Sequence, residues 1–219
     1  MLSMAQMAHP APELLLSFAT GRADLPHRVL LEAHLAACVD CRAALAEISG
    51  PGGALLRALP GAPLPAALWD KLRQRVAAEP PAARREAPPA LAGLPLPEAA
   101  RGELPAIRQL HWHWGFARGA RMAGLARDPD THSFLVIGHI PPRRAFPRHL
   151  HVGPEDLVVL TGGYEDEVGH WEAGAYASYE PGTVHQPVIE PGDTCWILFR
   201  LEAPNRLLGW QGWIQRLLS

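Results

Sequence analysis

Two of the three cysteines in this chain of 219 residues lie together with a histidine, in the pattern His34-x3-Cys38-x2-Cys41. The run 30–48 contains no glycine or proline and is rich in alanine and leucine, so it predicts a helix. Residues 34, 38 and 41 would then share one stripe, within about 60° of arc. Two thiolates and an imidazole are typical zinc ligands, and a tetrahedral structural site needs a fourth. His9, which precedes the first predicted helix, is the candidate.

The cysteine pair could also have either of two roles that involve no metal. Leu30, Leu45 and Ile48 continue the same stripe, so the cysteines could pack in an apolar core as small hydrophobic residues. A Cys-x-x-Cys pair can also be a redox centre, but the surrounding pattern is not the strand and helix of a thioredoxin-like motif. The spacing favours zinc over both alternatives.

A second group of potential metal ligands has the pattern His149-x-His151-x3-Glu155. In a strand, residues 149 and 151 point to the same face, so both imidazoles could meet one metal inside a barrel. Glu155 adds a carboxylate after a turn. His185, which follows Pro181-Gly182, could complete the set. Histidine and glutamate ligands admit zinc, iron or manganese.

The first group of ligands needs helices to position it, and the N-terminal part of the chain predicts four. They cover residues 10–20, 25–49, 54–59 and 66–78. Asp24 caps the second helix, and Gly50-Pro51 ends it. Trp69 lies on the apolar stripe of the fourth. Four short helices have a marginal core, which a bound zinc ion would stabilise.

The composition then divides the chain. Residues 80–104 are rich in proline and alanine, which predicts a semi-extended linker. After it come short β-branched or aromatic runs separated by turn residues, which predict strands and hence a sandwich or small barrel. The predicted strands cover residues 110–116, 131–140, 157–160, 170–176, 187–190 and 194–201. We therefore expect an α + β fold, with a helical domain over 1–79 and a strand domain over 105–219. The tail 207–218 could be a strand or a helix.

The charge and the hydropathy pattern exclude several classes of partner. The net charge of −2 does not favour nucleic acid or an anionic membrane. The N-terminus lacks the pattern of a secretory leader, and no run of about 18 apolar residues occurs. We therefore expect a cytoplasmic protein, in which a Cys-x-x-Cys pair binds metal more often than it forms a disulfide.

The remaining histidines and the third cysteine carry weaker signals. His111 and His113 flank Trp112 and could form another metal pair, although packed or exposed strand histidines are commoner. Cys195 is expected in the core, where proximity to a barrel metal could make it oxidisable. The other histidines are expected to be ordinary surface or hydrogen-bonded residues: His27, His132, His139 and His170.

The second group of ligands resembles the two cupin motifs. After Glu155 the chain continues with Gly162, then Gly174, and reaches Pro-Gly-Thr-Val-His185. The resemblance implies a cupin-type antiparallel β-barrel that holds a metal. The chain departs from the motifs at Arg143, where a glycine is expected, in the position of one proline, and in lacking an asparagine four residues after His185. The ligands that carry over are His149, His151, Glu155 and His185.

A helical domain with His9 and His34-x3-Cys38-x2-Cys41, then a linker and a cupin, is similar to the ChrR family of zinc-binding anti-sigma factors. The resemblance covers nearly the whole chain. It implies that the helical domain binds zinc and sequesters an extracytoplasmic-function-type sigma factor. It also implies that the cupin, with zinc or another divalent metal, governs release under stress, typically oxidative. A regulator of this kind is not an enzyme and contacts neither nucleic acid nor membrane directly.

The alternative is a metal-dependent cupin oxygenase or isomerase with a helical accessory domain. Three histidines and a glutamate leave open positions on a metal, so chemistry there is feasible. No residue other than the ligands stands out as a proton-transfer group, which favours the regulator.

Overall fold

The structure is a computed structural model that describes residues 9–78, 89–114 and 117–209. Its N-terminal part contains helices α1 (Pro12–Ala19), α2 (Leu25–Ala37), α3 (Val39–Ala58) and α4 (Leu68–Ala78). A 3-10 turn (Pro89–Leu91) and a short helix α5 (Glu98–Glu103) follow. In the described part of the chain, no helix is both long and apolar enough to span a membrane.

The helix predicted through residues 30–48 is broken at Cys38. This residue is extended, with φ −93° and ψ 111°, and it caps both the end of α2 and the start of α3. Its Sγ accepts a hydrogen bond from the backbone N–H of Cys41 at 3.4 Å. The prediction of one helical stripe was therefore wrong, because the sulfur supplies a local cap that replaces helical hydrogen bonds.

Helix α3 also differs from its predicted bounds. It continues through Gly50 and Pro51 to Ala58, so the predicted end at Gly50-Pro51 and the separate helix over 54–59 were wrong. Proline removes only one backbone donor, and the alanine and leucine residues after it favour continued helix.

The C-terminal part consists of short strands, all paired antiparallel. The strands are β1 (His113–Trp114), β2 (Arg121–Arg127), β3 (Phe134–Ile140), β4 (His149–Leu150), β5 (Glu155–Thr161), β6 (Gly163–Glu165), β7 (His170–Glu172), β8 (Tyr176–Tyr179), β9 (Val184–His185), β10 (Val188–Ile189), β11 (Cys195–Leu201) and β12 (Arg206–Leu207). The sheet orders are β1-β2-β3-β11-β5-β8, β10-β6-β7 and β12-β4-β9. The predicted antiparallel sandwich or barrel is confirmed.

Three of the strands, β2, β4 and β9, were not predicted from the sequence. Strand β2 has few β-branched or aromatic residues, and it forms because it pairs with β3 along its length. Strands β4 and β9 have two residues each and are held by their mutual pairing. Of the tail, Leu207 lies in β12, and residues 210–219 lie outside the described part.

Helix α2 joins the two parts of the molecule. Its fully buried Val29, Leu30 and Leu31 pack in one apolar cluster with Leu135 and Ile137 of β3. At about 25 cal/mol per Å² of buried apolar surface, three such side chains contribute several kcal/mol. The helical region is thus seated on the outer face of the six-stranded sheet.

Residues 89–104, within the predicted linker, are folded and not semi-extended. Leu91, Leu94 and Leu96 are buried in the same apolar cluster, as are Ala100 and Leu104 around α5. Closely spaced leucines bind the apolar surface of α2, which outweighs the extended preference of the prolines between them. The domain boundaries themselves stay a prediction.

Candidate metal centres

The structure brings together His9, His34, Cys38 and Cys41, and we call them the helical cluster. One potential ligand atom from each lies within 4.8 Å of the others. His9 Nδ1 is 3.5 Å from Cys38 Sγ and 3.4 Å from Cys41 Sγ. The cluster forms where the start of α1, the end of α2 and the start of α3 meet. The break at Cys38, and not a continuous stripe, makes the side chains converge.

The imidazole of His34 is oriented by the barrel. Its Nδ1 lies 2.7 Å from the carbonyl oxygen of Gly174. A carbonyl oxygen only accepts, so Nδ1 donates and carries the proton. Burial lowers the pKa of His34, which keeps the ring neutral, and the buried Nε2 has no hydrogen-bond partner among the described residues. That nitrogen therefore offers a lone pair to a metal ion.

The two thiols complete a donor set that suits zinc. Burial and the adjacent Cys38 sulfur raise the pKa of Cys41 to about 12, so without a cation its thiol stays protonated at neutral pH. A bound cation favours the thiolate and offsets that cost. Two sulfurs and two imidazole nitrogens fit a closed tetrahedral zinc site better than a site for a hard cation.

The second group of ligands also converges inside the barrel. His149, His151 and His185 are buried, and we call them the barrel cluster because their ligand atoms lie within 4.8 Å of one another. His149 and His185 are directly opposite in the β4–β9 pair, and their Nε2 atoms are 2.9 Å apart. His151 Nε2 is buried and has no hydrogen-bond partner among the described residues.

Each imidazole of the barrel cluster has a hydrogen-bond partner at Nδ1. The partners of His149, His151 and His185 are the Pro147 carbonyl oxygen at 2.8 Å, the Thr183 hydroxyl at 2.7 Å and the Asp166 carboxylate at 2.7 Å. Such contacts direct Nε2 towards a common point. Burial and neighbouring imidazoles lower the pKa of His149 to about 4 and that of His151 to about 3. Both rings are therefore neutral near pH 7 and able to bind a cation.

Glu155 lies at the edge of the barrel cluster. Its Oε2 is 3.7 Å from His151 Nε2 and accepts a hydrogen bond from the Asn205 side-chain amide. Burial raises the pKa of Glu155 to about 7, which a nearby cation would oppose. Its role as a fourth ligand stays a prediction.

Sequence reasoning missed Asp166. Its side chain is fully buried, and one carboxylate oxygen accepts hydrogen bonds from His185 Nδ1 and from the Tyr179 hydroxyl, each at 2.7 Å. The other accepts from the Trp171 indole N–H at 3.2 Å. Burial would raise the pKa of Asp166, but these hydrogen bonds outweigh it and hold the pKa well below the usual range. A single aspartate in a turn has no partner at a diagnostic spacing, so no sequence signal marks it.

Comparison with known proteins covers both parts of the chain. Residues 101–204 match the model of the ChrR Cupin-like domain. The anti-sigma-E factor ChrR of Cereibacter sphaeroides is 30% identical over 201 residues, which cover 90% of this chain and 91% of the relative. This chain belongs to the ChrR family of anti-sigma factors. The resemblance drawn from the two metal motifs is confirmed, and the C-terminal part of this ChrR-family chain is a cupin.

A solved complex agrees with this membership. The crystal structure of Rhodobacter sphaeroides SigE in complex with the anti-sigma ChrR superimposes with a TM-score of 0.63 at 25% identity. The match covers 88% of this chain and 97% of that one. The ChrR-family chain is therefore a regulator and not a cupin enzyme.

A cavity of about 240 Å³ adjoins the barrel cluster of this ChrR-family chain. His149, His185 and Glu155 line one side, and the rest of the wall is mainly apolar, including Val136 and Phe199. Solvent and small apolar molecules could therefore reach the vicinity of the histidines.

Other residues with potential chemistry lie outside both clusters. Among the described residues, neither His111 nor His113 belongs to a group of potential metal ligands. Cys195 is fully buried in the barrel core, where burial raises its pKa to about 12. Its thiol therefore stays protonated, which disfavours oxidation. The ring of His139 packs against Trp196, with centroids 4.8 Å apart.

Proposed function

We propose that this chain sequesters an extracytoplasmic-function-type sigma factor and releases it in response to oxidative stress. The observation that carries the proposal is the match, over 88% of this chain and 97% of that one, to a ChrR protein in complex with a sigma factor. A chain with both parts of that protein, in the same order, is expected to bind a partner of the same class.

Exposed apolar side chains between residues 55 and 76, on the end of α3, on α4 and between them, support a helical binding site, and we call this set the apolar helical face. Helix α4 has no buried residue, and Trp69 is 65% exposed. The large apolar side chains of this face are Leu55, Leu56, Leu59, Leu64, Trp69, Leu72 and Val76. Seven large apolar side chains exposed within 22 residues of sequence are typical of a protein interaction site, and amphipathic helices commonly dock in grooves of a partner.

The helical cluster is proposed to hold zinc through His9, His34, Cys38 and Cys41. Zinc there supplies structural bonds that join the segment before α1 to the α2–α3 junction. With this junction held, α3 would present the apolar helical face in one orientation. Stability of the small helical region would then depend on the metal.

The barrel is proposed to sense the stress signal in the cytoplasm, with zinc or another divalent metal held by His149, His151, Glu155 and His185. The helical domain over 1–79 would hold the partner, and the cupin domain over 105–219 would govern release. Residues 80–104 would connect them. This division agrees with the location of the apolar helical face and of the barrel cluster in different parts of the chain.

Co-purification tests the proposal. The full chain is co-expressed with each extracytoplasmic-function-type sigma factor of the source organism, and we expect one of them to co-purify in equal amount. Trp69→Glu places a charge in the apolar helical face and should reduce capture at least about 10-fold, since burial of an unpaired charge costs several kcal/mol. Val188→Glu is the matched control, because Val188 is an exposed apolar residue of the barrel, 48% accessible. Capture of no sigma factor by the folded chain, or equal loss with both variants, would contradict the proposal.

A further inference from the structure

One contact of the helical cluster comes from the barrel. Gly174 lies in the turn between β7 and β8, and its carbonyl oxygen accepts the hydrogen bond from His34 Nδ1 at 2.7 Å. The backbone N–H of Gly174 donates to the Val159 carbonyl oxygen of β5 at 2.8 Å, which anchors the turn to the large sheet. The acceptor that sets the tautomer of His34 is therefore part of the cupin and not of the helices.

The backbone conformation and a close neighbour both restrict residue 174 to glycine. Its φ is +91°, a conformation that side-chain-bearing residues rarely adopt. A Cβ at residue 174 would also lie 2.8 Å from the Cβ of Ala37, at the end of α2. The close approach of the turn to α2, and with it the contact to His34, therefore requires the missing side chain.

The segment that contains this turn, from β7 through β8 (residues 170–179), also contacts the barrel cluster, since the Tyr179 ring packs against His151 and His185. We call it the β7–β8 segment; β7 pairs with β6 and β8 with β5, so it links two sheets. Trp171 of β7 donates to one oxygen of Asp166 at 3.2 Å, and Tyr179 of β8 donates to the other at 2.7 Å. Asp166 in turn accepts the Nδ1 proton of His185. The β7–β8 segment thus lies between the two groups of ligands. Its turn accepts a hydrogen bond from the proposed ligand His34, and its two strands donate to Asp166, the partner of His185.

We propose that the β7–β8 segment is an outer shell shared by both metal centres, in which the Gly174 carbonyl holds His34 in its metal-binding tautomer and orientation. This inference rests on the proposed zinc at the helical cluster. A change at the barrel cluster that shifts Asp166 moves Trp171 and Tyr179, and with them the turn at Gly174, which withdraws the acceptor from His34. The sulfurs of Cys38 and Cys41 then lose protection, and the junction that orients the apolar helical face loosens.

Thiol reactivity of the zinc-loaded full chain tests the proposal. Cys38 and Cys41 are assayed with a chromogenic disulfide reagent, and peptide mass spectrometry separates them from Cys195. Loss of an outer-shell contact lowers metal affinity about 10- to 100-fold, so Gly174→Ala should speed their modification by a comparable factor. Gly93→Ala is the matched control: its φ is +81°, with no described atom within 4 Å of an added Cβ. It should react at the wild-type rate.

A second-site change tests the cause of the effect. Ala37→Gly removes the methyl group that meets the new Cβ, so the double variant with Gly174→Ala should regain part of the protection. If Gly174→Ala alone does not fold, the double variant is compared with Ala37→Gly alone. Trp171→Phe removes the N–H donor to Asp166 and keeps a ring, and it should speed modification by a smaller factor.

The outcomes separate this inference from the proposed zinc site. Wild-type zinc retention with no acceleration in folded Gly174→Ala would overturn the role of Gly174. An effect of Gly174→Ala without one of Trp171→Phe would overturn the sharing of the shell with the barrel cluster. Wild-type thiols that react as fast as those of the chelator-treated chain would show that no zinc is held there, which overturns the zinc site itself.

Discussion

At the scale of single residues, the imidazoles of both candidate metal centres are oriented by acceptors that lie outside the ligand motifs. Four imidazoles have Nδ1 hydrogen-bonded, to two backbone carbonyls, one hydroxyl and one carboxylate. Because neutral imidazole has one N–H, fixing it at Nδ1 leaves Nε2 as the ligand nitrogen. The carboxylate of Asp166 is the acceptor most open to a conservative substitution.

We expect Asp166→Asn to lower the metal affinity of the barrel cluster about 10- to 100-fold. Both oxygens of Asp166 face donors: His185 and Tyr179 at one, and Trp171 with two backbone N–H groups at the other. Either orientation of the asparagine amide therefore places an NH₂ group against a donor. Metal content after dialysis against graded chelator measures the effect.

The control for this prediction is Glu165→Gln, which neutralises the exposed carboxylate of the preceding residue. It should retain metal as the wild type does. Equal retention by Asp166→Asn, with its fold intact, would show that Asp166 does not support the centre.

At the scale of elements, α2 is fastened to the barrel by charged groups at its start. Asp24 caps the helix by accepting from the backbone N–H of His27 at 2.8 Å, and it pairs with Arg200 of β11 at 2.8 Å. The imidazole of His27 lies between two carboxylates, 2.9 Å from Asp24 and 3.1 Å from Asp156. A protonated His27 can therefore donate to both.

The pH dependence of the free energy of unfolding should show whether His27 is protonated between the two carboxylates. Burial, and more weakly the charge of Arg200, would lower the pKa of His27, but the hydrogen bonds to Asp156 and Asp24 outweigh them and raise it above 6.5. The stabilisation is thus fully present below about pH 6.5 and is lost as the pH rises through the raised pKa. The free energy of unfolding of wild type minus that of His27→Gln should shrink as the pH rises.

Chemical denaturation of both proteins between pH 5.5 and 9 measures that difference. A difference that is constant with pH, or that grows as the pH rises, would show that His27 is not protonated in the folded chain. The Arg200–Asp24 pair stays charged throughout this range, so its contribution to the free energy of unfolding does not change with pH.

At the scale of the whole molecule, the helical region and the cupin share one apolar cluster. A change in the cupin could therefore be passed to the helices through this packing. If release follows an equilibrium, moving the partner from almost fully bound to almost fully free takes on the order of 5 kcal/mol of differential stabilisation. The contribution of several kcal/mol from the buried Val29, Leu30 and Leu31 of α2 is of the same order. In the proposed mechanism, the barrel acts on the apolar helical face through this packing.

We expect His149→Ala with His151→Ala to leave basal inhibition intact and to blunt induction by oxidants. The proposed ligands lie in the cupin, whereas the apolar helical face lies on α3 and α4. A reporter of sigma-dependent transcription should give low output with and without oxidant. High output from unstressed cells, with the variant folded and present, would mean that the barrel metal helps to hold the partner.

A chain truncated to residues 1–79 should still capture the sigma factor, because the apolar helical face lies within it. It loses the sheet beneath Val29, Leu30 and Leu31, so its zinc-loaded form should melt at a lower temperature than the full chain. Calorimetry and pull-down with the same sigma factor measure both effects. Failure of the folded fragment to capture the partner would overturn the proposed division between binding and sensing.

What the sequence determined by itself was the type of chemistry and the order of the parts. The candidate ligands His34, Cys38 and Cys41 are local in sequence, and so are His149 and His151, so their residue types and spacing predict that they meet. The way in which the first three meet, through a break at Cys38, was not predicted. Helical and strand regions follow from composition and period, which are also local. Hence the α + β fold and both candidate centres were predictable.

Only the tertiary structure decided how these parts are joined. The folding of residues 89–104 onto α2 and the contact of His34 with Gly174 depend on groups far apart in the chain. Asp166 meets Trp171, Tyr179 and His185 through the packing of three different strands. His34 and Gly174 are 140 residues apart, and no periodicity connects them. Every residue has a backbone carbonyl, so the sequence does not show which carbonyl accepts the proton of His34. Packing decides this, because the turn at Gly174 has no side chain to keep it away from α2.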